Sequence, residues 1–282
     1  MTNQDDGIVE FEAVSFKDGK RDTVFERVAE ESPLEIRIKY GGDDPFPFAV
    51  TMRTPGMDRE LAAGYLYSER IVDSMQQILN VESGDQDSSE TRNTVTVTIN
   101  PDFRRTDRTQ QTRRINSSCG LCSKSSVNDL FLKAGGIIRT DRKVESSLIC
   151  SLPDKLRKAQ RIFSNTGGLH AAGIFDLKGD MVYSAEDIGR HNAVDKVIGS
   201  AVMNRGLKFR DTILQVSGRC GFEILQKAAV AGIPFVSAVS APSSLSVEAA
   251  RSLGITLACF VRGERFTIYS YPDRISYTDR IR

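Results

Sequence analysis

The sequence predicts a mixed α/β protein, α+β overall, in which a smaller N-terminal α+β domain precedes a C-terminal α/β domain. In the C-terminal half, apolar strands alternate with amphipathic helices, and glycine- and serine-rich turns follow the strand ends. This order is typical of a sheet covered by helices. In the N-terminal half, most segments alternate apolar and polar residues as half-buried strands do. We assign 1–114 to the N-terminal domain, 115–150 to a mobile loop and connecting segment, and 151–282 to the C-terminal domain.

Composition narrows the class of protein. The chain has 282 residues, of which 40% are hydrophobic and 27% charged, as in soluble globular proteins. Its 38 basic and 37 acidic residues give a net charge of +1, which argues against a general nucleic-acid binder. We expect no membrane partner, because no apolar run approaches the length of a membrane span and the first residues are polar and acidic. Five cysteines, too few for a disulfide scaffold, indicate a reducing cytoplasm.

The N-terminal half is predicted to contain five strands and one helix. The helix covers 58–68, with Asp58 as its N-cap and an apolar stripe on one side. Residues 71–81 form a mixed segment and 83–93 a polar loop. The predicted strands are 8–16, 21–29, 34–40, 46–52 and 94–100.

The C-terminal half is predicted to alternate strands and helices. Leu152, Pro153 and Asp154 open a helix that runs to residue 165. Further helices are expected at 193–205, 222–231 and 245–253, and strands at 171–177, 181–185, 212–217, 235–239, 256–261 and 266–271. Open α/β sheets bind ligands beyond such strand ends, where free helix N-termini suit phosphate.

One cysteine pair is placed for sulfur chemistry. Cys119 and Cys122 lie in a polar loop, just before a predicted helix over 123–135. The helix N-terminus and Lys124 favour thiolate over thiol, as a nucleophile, a metal ligand or a redox cysteine requires. The arginine-rich stretch 102–114 before the pair is either a solvated linker or a basic arm that guides an anionic ligand.

Zinc binding is the main alternative for this pair. Cys119 and Cys122 could be joined in a tetrahedral site by His170, His191 or Cys220. No second Cys-x-x-Cys or His-x-x-x-His pair occurs, so the remaining ligands would have to converge from single positions. A thioredoxin-like site fits poorly, since the pair follows a long polar loop rather than an early strand.

Other polar turns are weaker candidates for a functional site. Polar groups converge at 189–192, where a helix begins, although local capping by Asp187 and Asn192 would explain them equally well. The turn 217–221 resembles a phosphate-binding turn only loosely and matches neither the P-loop nor the Rossmann fingerprint. Cys150 and Cys259 lie in apolar surroundings and are expected to be packing residues.

Together these motifs resemble one family over nearly the whole chain, the formate dehydrogenase accessory sulfurtransferases, FdhD. The longest and most specific motif is Glu-Asp-Ile-Gly-Arg-His-Asn, which begins at Glu186. One departure is Ser123, where many relatives have glycine. The segments that carry the resemblance are 32–36, 51–56, 60–66, 119–122, 166–170, 186–196, 217–219 and 240–244.

The resemblance implies a sulfur carrier with a cytidine-deaminase-like C-terminal domain. Such proteins accept sulfur from a cysteine desulfurase as a persulfide and pass it to the molybdenum bis-guanine-dinucleotide cofactor before its insertion into formate dehydrogenase. Cys119 matches the persulfide-carrying cysteine and Cys122 its partner. No permanent metal is expected. The segment matching the cofactor-binding stretch is Phe260, Val261, Arg262, Gly263, Glu264 and Arg265.

No deamination is expected, because Ala172 stands where the zinc deaminases have glutamate and no Pro-Cys-x-x-Cys follows. The pyrophosphates of the cofactor require amides and arginines, and the candidates are Arg190, Arg219, Arg262 and Arg265. The alternative function is a non-catalytic chaperone that binds the cofactor for formate dehydrogenase. A homodimer is one option for the oligomeric state, and molybdenum and tungsten are not distinguished.

Overall fold

The computed structural model describes residues 7–85, 88, 91–103, 113–114, 136–204 and 207–277. Within these ranges the chain is a mixed α/β protein, as predicted. Cys119, Cys122 and the predicted helix over 123–135 lie outside the described residues.

The first described residues form a β-hairpin whose side chains are mostly exposed. Strand β1 (Ile8–Lys17) pairs with β2 (Lys20–Ala29) along its whole length, from Ile8 opposite Ala29 to Lys17 opposite Lys20. Asp18 and Gly19 form the two-residue turn, and both have positive φ, 51° and 75°. This is the Asp-Gly type of turn that matches the twist of two antiparallel strands.

A five-stranded sheet and one helix form the rest of the N-terminal half. The sheet order is β5-β6-β3-β4-β7, in which β3 runs parallel to β6 and antiparallel to β4. Its buried face packs against helix α1 around Ile36, Phe48 and Leu66. The bounds are β3 (Ser32–Tyr40), β4 (Phe46–Arg53), α1 (Asp58–Ser68), β5 (Ile78–Ser83), β6 (Thr94–Ile99) and β7 (Arg113–Arg114).

The C-terminal half is built on a six-stranded sheet of order β10-β9-β11-β12-β13-β14. Only β11, β12 and β13 run parallel, so their carboxyl ends meet at one edge of the sheet. The bounds are β8 (Val144–Glu145), α2 (Ser146–Ala159), α3 (Arg161–Thr166), β9 (His170–Asp176), β10 (Met181–Asp187), α4 (Arg190–Met203), β11 (Thr212–Val216), α5 (Phe222–Ala231), β12 (Phe235–Ala238), α6 (Ser244–Leu253), β13 (Thr256–Arg262), β14 (Arg265–Ser270) and β15 (Ile275–Ser276).

Helices cover both faces of this sheet. Helices α4, α5 and α6 pack on one face, in a core that includes Leu214 and Val236. Helix α2 packs on the opposite face, where Leu152 and Leu156 meet Phe235. All residues of β11 are buried, as expected for a central strand that is covered on both sides.

The two halves are joined where α1 crosses α4. A Cβ atom built on Gly64 of α1 would lie 1.9 Å from the Asp195 carbonyl oxygen of α4. A Cβ atom built on Gly199 of α4 would lie 1.9 Å from the Glu60 carbonyl oxygen of α1. The helix backbones therefore touch directly, and only glycine fits at either position.

Most predicted elements are confirmed, but one N-cap and two helix starts were wrong. Asp58 is not an N-cap: Met57 occupies that position in a left-handed conformation, and the Asp58 carboxylate instead accepts hydrogen bonds from Arg53. The helix predicted over 152–165 is two helices, α2 and α3, and α2 begins before Pro153, which lies inside it. Burial of its apolar face offsets the backbone hydrogen bond that a proline cannot donate.

The third error concerns α4, which begins at Arg190 rather than at residue 193, with Gly189 at the N-cap. The division at 114 and 150 and the cytidine-deaminase-like character of the C-terminal domain stay predictions. Of the helices that the structure describes, none is long and apolar enough to cross a membrane.

Candidate functional site

The Glu-Asp-Ile-Gly-Arg-His-Asn motif has a mainly structural role. Together with Lys196 it connects the start of α4 to Thr54 in the loop after β4, and we call this set of contacts the joint. Asp187 is fully buried and forms an ion pair with Lys196, with 2.7 Å between Oδ2 and Nζ. The Asp187 carboxylate also accepts from the Gly189 and Thr54 backbone N–H groups, at 2.8 and 3.3 Å. Lys196 donates to the Thr54 carbonyl oxygen at 2.9 Å. A buried carboxylate is tolerable because it has this many partners.

Neighbouring residues of the motif extend this joint. The Asn192 amide donates both to the Asp187 carboxylate, at 3.0 Å, and to the Met52 carbonyl oxygen, at 2.8 Å. The Glu186 carboxylate accepts from the backbone N–H groups of Ile162 and Phe163 at the start of α3. The motif thus fixes the start of α4 against the loop after β4, and the side chains left for a ligand are Arg190 and His191.

Four cationic or titratable side chains meet at the carboxyl edge of the sheet, and we call them the sheet-end cluster: His170, Arg190, His191 and Arg219. His170 begins β9 beside the end of β11, because the Ser217 N–H donates to the Ala171 carbonyl oxygen at 2.9 Å. Burial lowers the pKa of His170, and the charges of Arg190, His191 and Arg219 lower it further, against the opposing effect of Asp187. His170 is therefore a neutral imidazole at pH 7.

The turn after β11 is shaped around this histidine. A Cβ atom built on Gly218 would lie 3.0 Å from the His170 Nδ1 atom, so a glycine at this position lets the ring approach the backbone. The Ser217 hydroxyl accepts from the Ala171 N–H at 2.8 Å and fixes the same turn. Arg219, on this turn, is exposed.

His191 and Arg190 occupy the first turn of α4 but differ in their contacts. The His191 Nε2 atom lies 2.6 Å from the Glu223 carboxylate of α5, and both side chains are largely buried. The Arg190 Nε atom is buried and has no hydrogen-bond partner. An unsatisfied buried donor on a cationic side chain is costly, and an anion at this edge would satisfy it.

The predicted cofactor-binding stretch 260–265 forms the end of β13, a turn and the start of β14. Phe260 has φ of 56° and is 42% exposed, which is a strained conformation for a bulky residue. Arg262 and Arg265 lie directly opposite each other across the two strands. Like charges in such a pair are destabilising. Together with Phe266 and Thr267, these three residues line a cavity of about 320 Å³.

Backbone hydrogen bonds place the 260–265 turn at the same edge as the other strand-end loops. The Phe260 N–H donates to the Ser240 carbonyl oxygen after β12, at 3.2 Å. The Cys220 N–H donates to the Ala241 carbonyl oxygen at 3.0 Å and so links the turns after β11 and β12. Of the stretch, Val261 is buried, whereas Gly263 and Glu264 are exposed.

The described cysteines are poor nucleophiles. Burial raises the pKa of Cys259 to about 12 and that of Cys220 well above its usual range, and both thiols are fully buried. Cys150 is only half-buried, less than predicted, but burial and the Glu264 carboxylate raise its pKa as well. All three therefore stay protonated at neutral pH.

The structure constrains the predicted zinc alternative. Cys220 is fully buried, and the Nε2 atom of His191 contacts the Glu223 carboxylate. Of the three additional zinc ligands suggested by the sequence, His170 is therefore the most available. Within the described ranges, no group of three or more His, Cys, Asp and Glu side chains could hold a metal ion.

Sequence reasoning missed the roles of three residues in the site. Thr54 and Lys196 hold the joint under Arg190, and Glu223 holds His191, across separations of many residues in the chain. Spacing cannot reveal such pairs. The signal for Thr54 was its place in the segment 51–56, one of the segments that carry the family resemblance.

The fold and this site define an α/β protein with arginine and histidine side chains gathered at one edge of its sheet. The sequence model of the FdhD/NarQ family matches residues 29–276, so the chain belongs to this family.

Known proteins that are similar to the chain are consistent with this family assignment. "Sulfur carrier protein FdhD" of Thermoplasma volcanium is 47% identical over 250 residues, which cover 89% of each chain. The protein of the same name from Streptomyces avermitilis is 44% identical and covers 93% of this chain and 94% of its own. A solved structure, described as a formate dehydrogenase accessory protein of Desulfotalea psychrophila, has a TM-score of 0.74 at 23% identity. It covers 95% of this chain and 99% of its own, which confirms the fold.

Proposed function

We propose that the protein is a sulfur carrier for formate dehydrogenase maturation, with Cys119 as the persulfide-forming cysteine and Cys122 as its partner. The distribution of cysteines carries this proposal. The relatives are named sulfur carrier proteins, yet all three described cysteines have raised pKa values and two are fully buried. Cys119 and Cys122, outside the described residues, are the two that remain.

The proposed chemistry has two sulfur-transfer steps, followed by reduction of the cysteines. The Cys119 thiolate attacks the outer sulfur of the donor persulfide on a cysteine desulfurase, which breaks the donor S–S bond and releases the desulfurase thiolate. The Cys122 thiolate then attacks the Cys119 sulfur, which releases hydrosulfide and leaves a Cys119–Cys122 disulfide. A cellular dithiol reductant returns both cysteines to thiols by supplying two electrons. The protein thus acts as a sulfurtransferase.

The acceptor in this proposal is the molybdenum bis-guanine-dinucleotide cofactor, bound as a substrate at residues 260–265. The residues present fit such a ligand. Phe260 offers an exposed aromatic face for a base, and the opposed Arg262 and Arg265 would be relieved of repulsion by a pyrophosphate between them. The buried Arg190 Nε atom offers a further donor at the same sheet edge.

The proposal implies partners and a compartment. A cysteine desulfurase supplies the sulfur and formate dehydrogenase receives the finished cofactor, both in the cytoplasm. No permanent metal is required, because sulfur transfer uses only the two thiols. Two subunits would bring two such sheet edges to one large cofactor, so we include a homodimer in the proposal.

Reconstitution of formate dehydrogenase activity tests this function. The enzyme is matured with the wild-type carrier, with a Cys119→Ala variant or with a Cys150→Ala variant as the matched control. We expect Cys119→Ala to abolish activation and Cys150→Ala to support it fully, because Cys150 is a partly exposed thiol with a raised pKa. Normal activation by Cys119→Ala would refute the carrier role.

The cavity lined by Phe260, Arg262 and Arg265 also favours a second candidate, a chaperone that binds and delivers the cofactor without transferring sulfur. This function requires the arginines but not the cysteines. In the same assay it predicts that Cys119→Ala supports activation, whereas Arg262→Gln and Arg265→Gln do not.

A further inference from the structure

A second cavity, of about 270 Å³, lies where the loop after β4 meets the end of β10 and the link between α2 and α3. We call it the junction cavity. Its volume suits a ligand smaller than a whole nucleotide cofactor. The apolar part of its wall includes Pro55, Met57, Leu156, Ala159 and Ile162.

The charged groups in the inner wall of the junction cavity already have partners. The Lys196 ammonium group contacts three protein oxygens, at 2.7, 2.9 and 3.2 Å. The Glu186 carboxylate accepts from two backbone N–H groups of α3, at 2.9 and 2.7 Å. Arg161, the remaining charged residue of the wall, is exposed. The interior therefore favours an uncharged ligand, because no buried charge there lacks a counterion.

Gln160 is the polar residue of this cavity that lacks a partner. It is 5% exposed, and its side-chain amide forms no hydrogen bond with any residue that the structure describes. The Ser184 hydroxyl, two residues before Glu186 and so on the same side of β10, also has no partner within the described ranges. A buried amide without partners is costly, and a ligand that supplies both a donor and an acceptor removes this cost.

The chemistry of the wall indicates a flat heterocyclic base as the ligand. A primary carboxamide both donates and accepts, so it forms two parallel hydrogen bonds with a base edge that carries an adjacent donor and acceptor. The Gln160 Nε2 atom would donate to a ring carbonyl oxygen, and its Oε1 atom would accept from the neighbouring ring N–H. Apolar side chains such as Met57 and Leu156 suit the faces of the ring.

The junction cavity opens at the same edge of the six-stranded sheet as the 260–265 turn. Strands β10 and β13 run in the same direction, because β10 and β11 are both antiparallel to β9 while β11, β12 and β13 are parallel. Both strands therefore end at this edge. Four strand spacings separate them in the sheet order, which is about 19 Å.

We propose that the junction cavity binds a base with an amino-oxopyrimidine edge, the edge that guanine and the pterins share, and that Gln160 pairs with this edge. The choice of this edge rests on the proposed function, since the bis-guanine-dinucleotide cofactor carries both kinds of base. One cofactor molecule then contacts the chain at two places along the sheet edge, with one base at Phe260 and another in the junction cavity.

Calorimetric titration of the full chain with guanosine, pterin or adenosine tests the proposal. These uncharged probes lack the pyrophosphate that the arginines at 260–265 would bind. Gln160→Leu weakens the binding of guanosine or pterin about tenfold or more, because it removes both hydrogen bonds to the base. Its melting temperature is unchanged or higher, since the amide has no partner to lose. Gln76→Leu is the matched control, because Gln76 is exposed and does not line the cavity.

Ala159→Met fills the cavity and weakens binding without touching Gln160, so the test does not depend on one variant. Binding of guanosine alone or of pterin alone supports the proposal and identifies the part of the cofactor that occupies the cavity. The proposal is overturned if neither base binds at millimolar concentration, if both variants bind as the wild type does, or if adenosine binds as tightly. Persulfide formation on Cys119, measured on the same variants, reports separately on the sulfur-carrier function, which does not require Gln160.

Discussion

Alanine at Gly64 is expected to destabilise the protein, although it raises helix propensity. Gly→Ala inside a helix gains about 1 kcal/mol. Here the new Cβ would lie 1.9 Å from the Asp195 carbonyl oxygen and 2.8 Å from the Gly199 nitrogen, and both are backbone atoms that cannot rotate away. To restore an ordinary contact distance, α1 and α4 must separate by about 1.5 Å.

Separating the two helices by this distance costs more free energy than the higher helix propensity of alanine provides. A gap of 0.5–1 Å already forfeits about a quarter to a half of each dispersion contact, and overpacking typically costs about 1–3 kcal/mol even where side chains can yield. Because the helix backbones themselves must move here, we expect the clash to lower the free energy of unfolding by about 3–5 kcal/mol. The net destabilisation is then about 2–4 kcal/mol, or roughly 3–7 °C in melting temperature for a chain of this size.

Urea denaturation of Gly64→Ala, Gly199→Ala and the double variant measures this effect. The double variant should lose less than the sum of the two single losses, because one separation of the helices relieves both clashes. Gly42→Ala is the control, since no atom lies within 4 Å of its new Cβ, and it should be neutral or slightly stabilising. Wild-type stability of Gly64→Ala, or full additivity, would refute the close crossing.

Three further predictions concern the joint and the sheet edge. Lys196→Met leaves the buried Asp187 carboxylate without its cation and should cost about 3–5 kcal/mol in urea denaturation, with part of that loss recovered by adding Asp187→Asn. His170 has a lowered pKa, so folding favours its neutral form and stability falls as pH drops below about 6.5. His170→Gln should therefore show a shallower fall in melting temperature from pH 7 to pH 5, and an unchanged slope would contradict the burial argument. Arg262→Gln removes a like-charge pair, so it should change stability by no more than about 0.5 kcal/mol while weakening the binding of GDP, measured by calorimetry.

Much of the fold could be predicted from local pattern. The helix over 222–231, most strands of both halves and the Asp18-Gly19 turn follow from periodicity and turn chemistry alone, whereas β5 lies where a mixed segment and a loop were predicted. The start of α2 could not be predicted in this way, because proline usually marks the first turn of a helix. Only the tertiary burial of Ile149 and Leu152 keeps Pro153 inside α2. Asp58 has the right residue type for an N-cap, but its ion pair with Arg53 engages the carboxylate instead.

The candidate site, too, could be predicted only in part. The family resemblance predicted a binding role for the 260–265 segment, and the convergence of polar residues predicted one for the turn before α4; both roles stay predictions. The sequence could not show that Asp187 and Asn192 hold the loop after β4 rather than a ligand, since their partners Thr54 and Met52 lie far away in the chain. It could also not show that Phe260 has positive φ or that Arg262 faces Arg265.

The most direct test of the sulfur-carrier account is the intact mass of the protein after incubation with a cysteine desulfurase and cysteine. The account predicts one added sulfur atom on the wild type and on Cys150→Ala, lost on reduction and absent from Cys119→Ala. If the wild type gains no sulfur while its thiols are free, the carrier role is contradicted and the cofactor-chaperone function takes its place. Zinc bound to the protein under native conditions would instead indicate a structural role for Cys119 and Cys122.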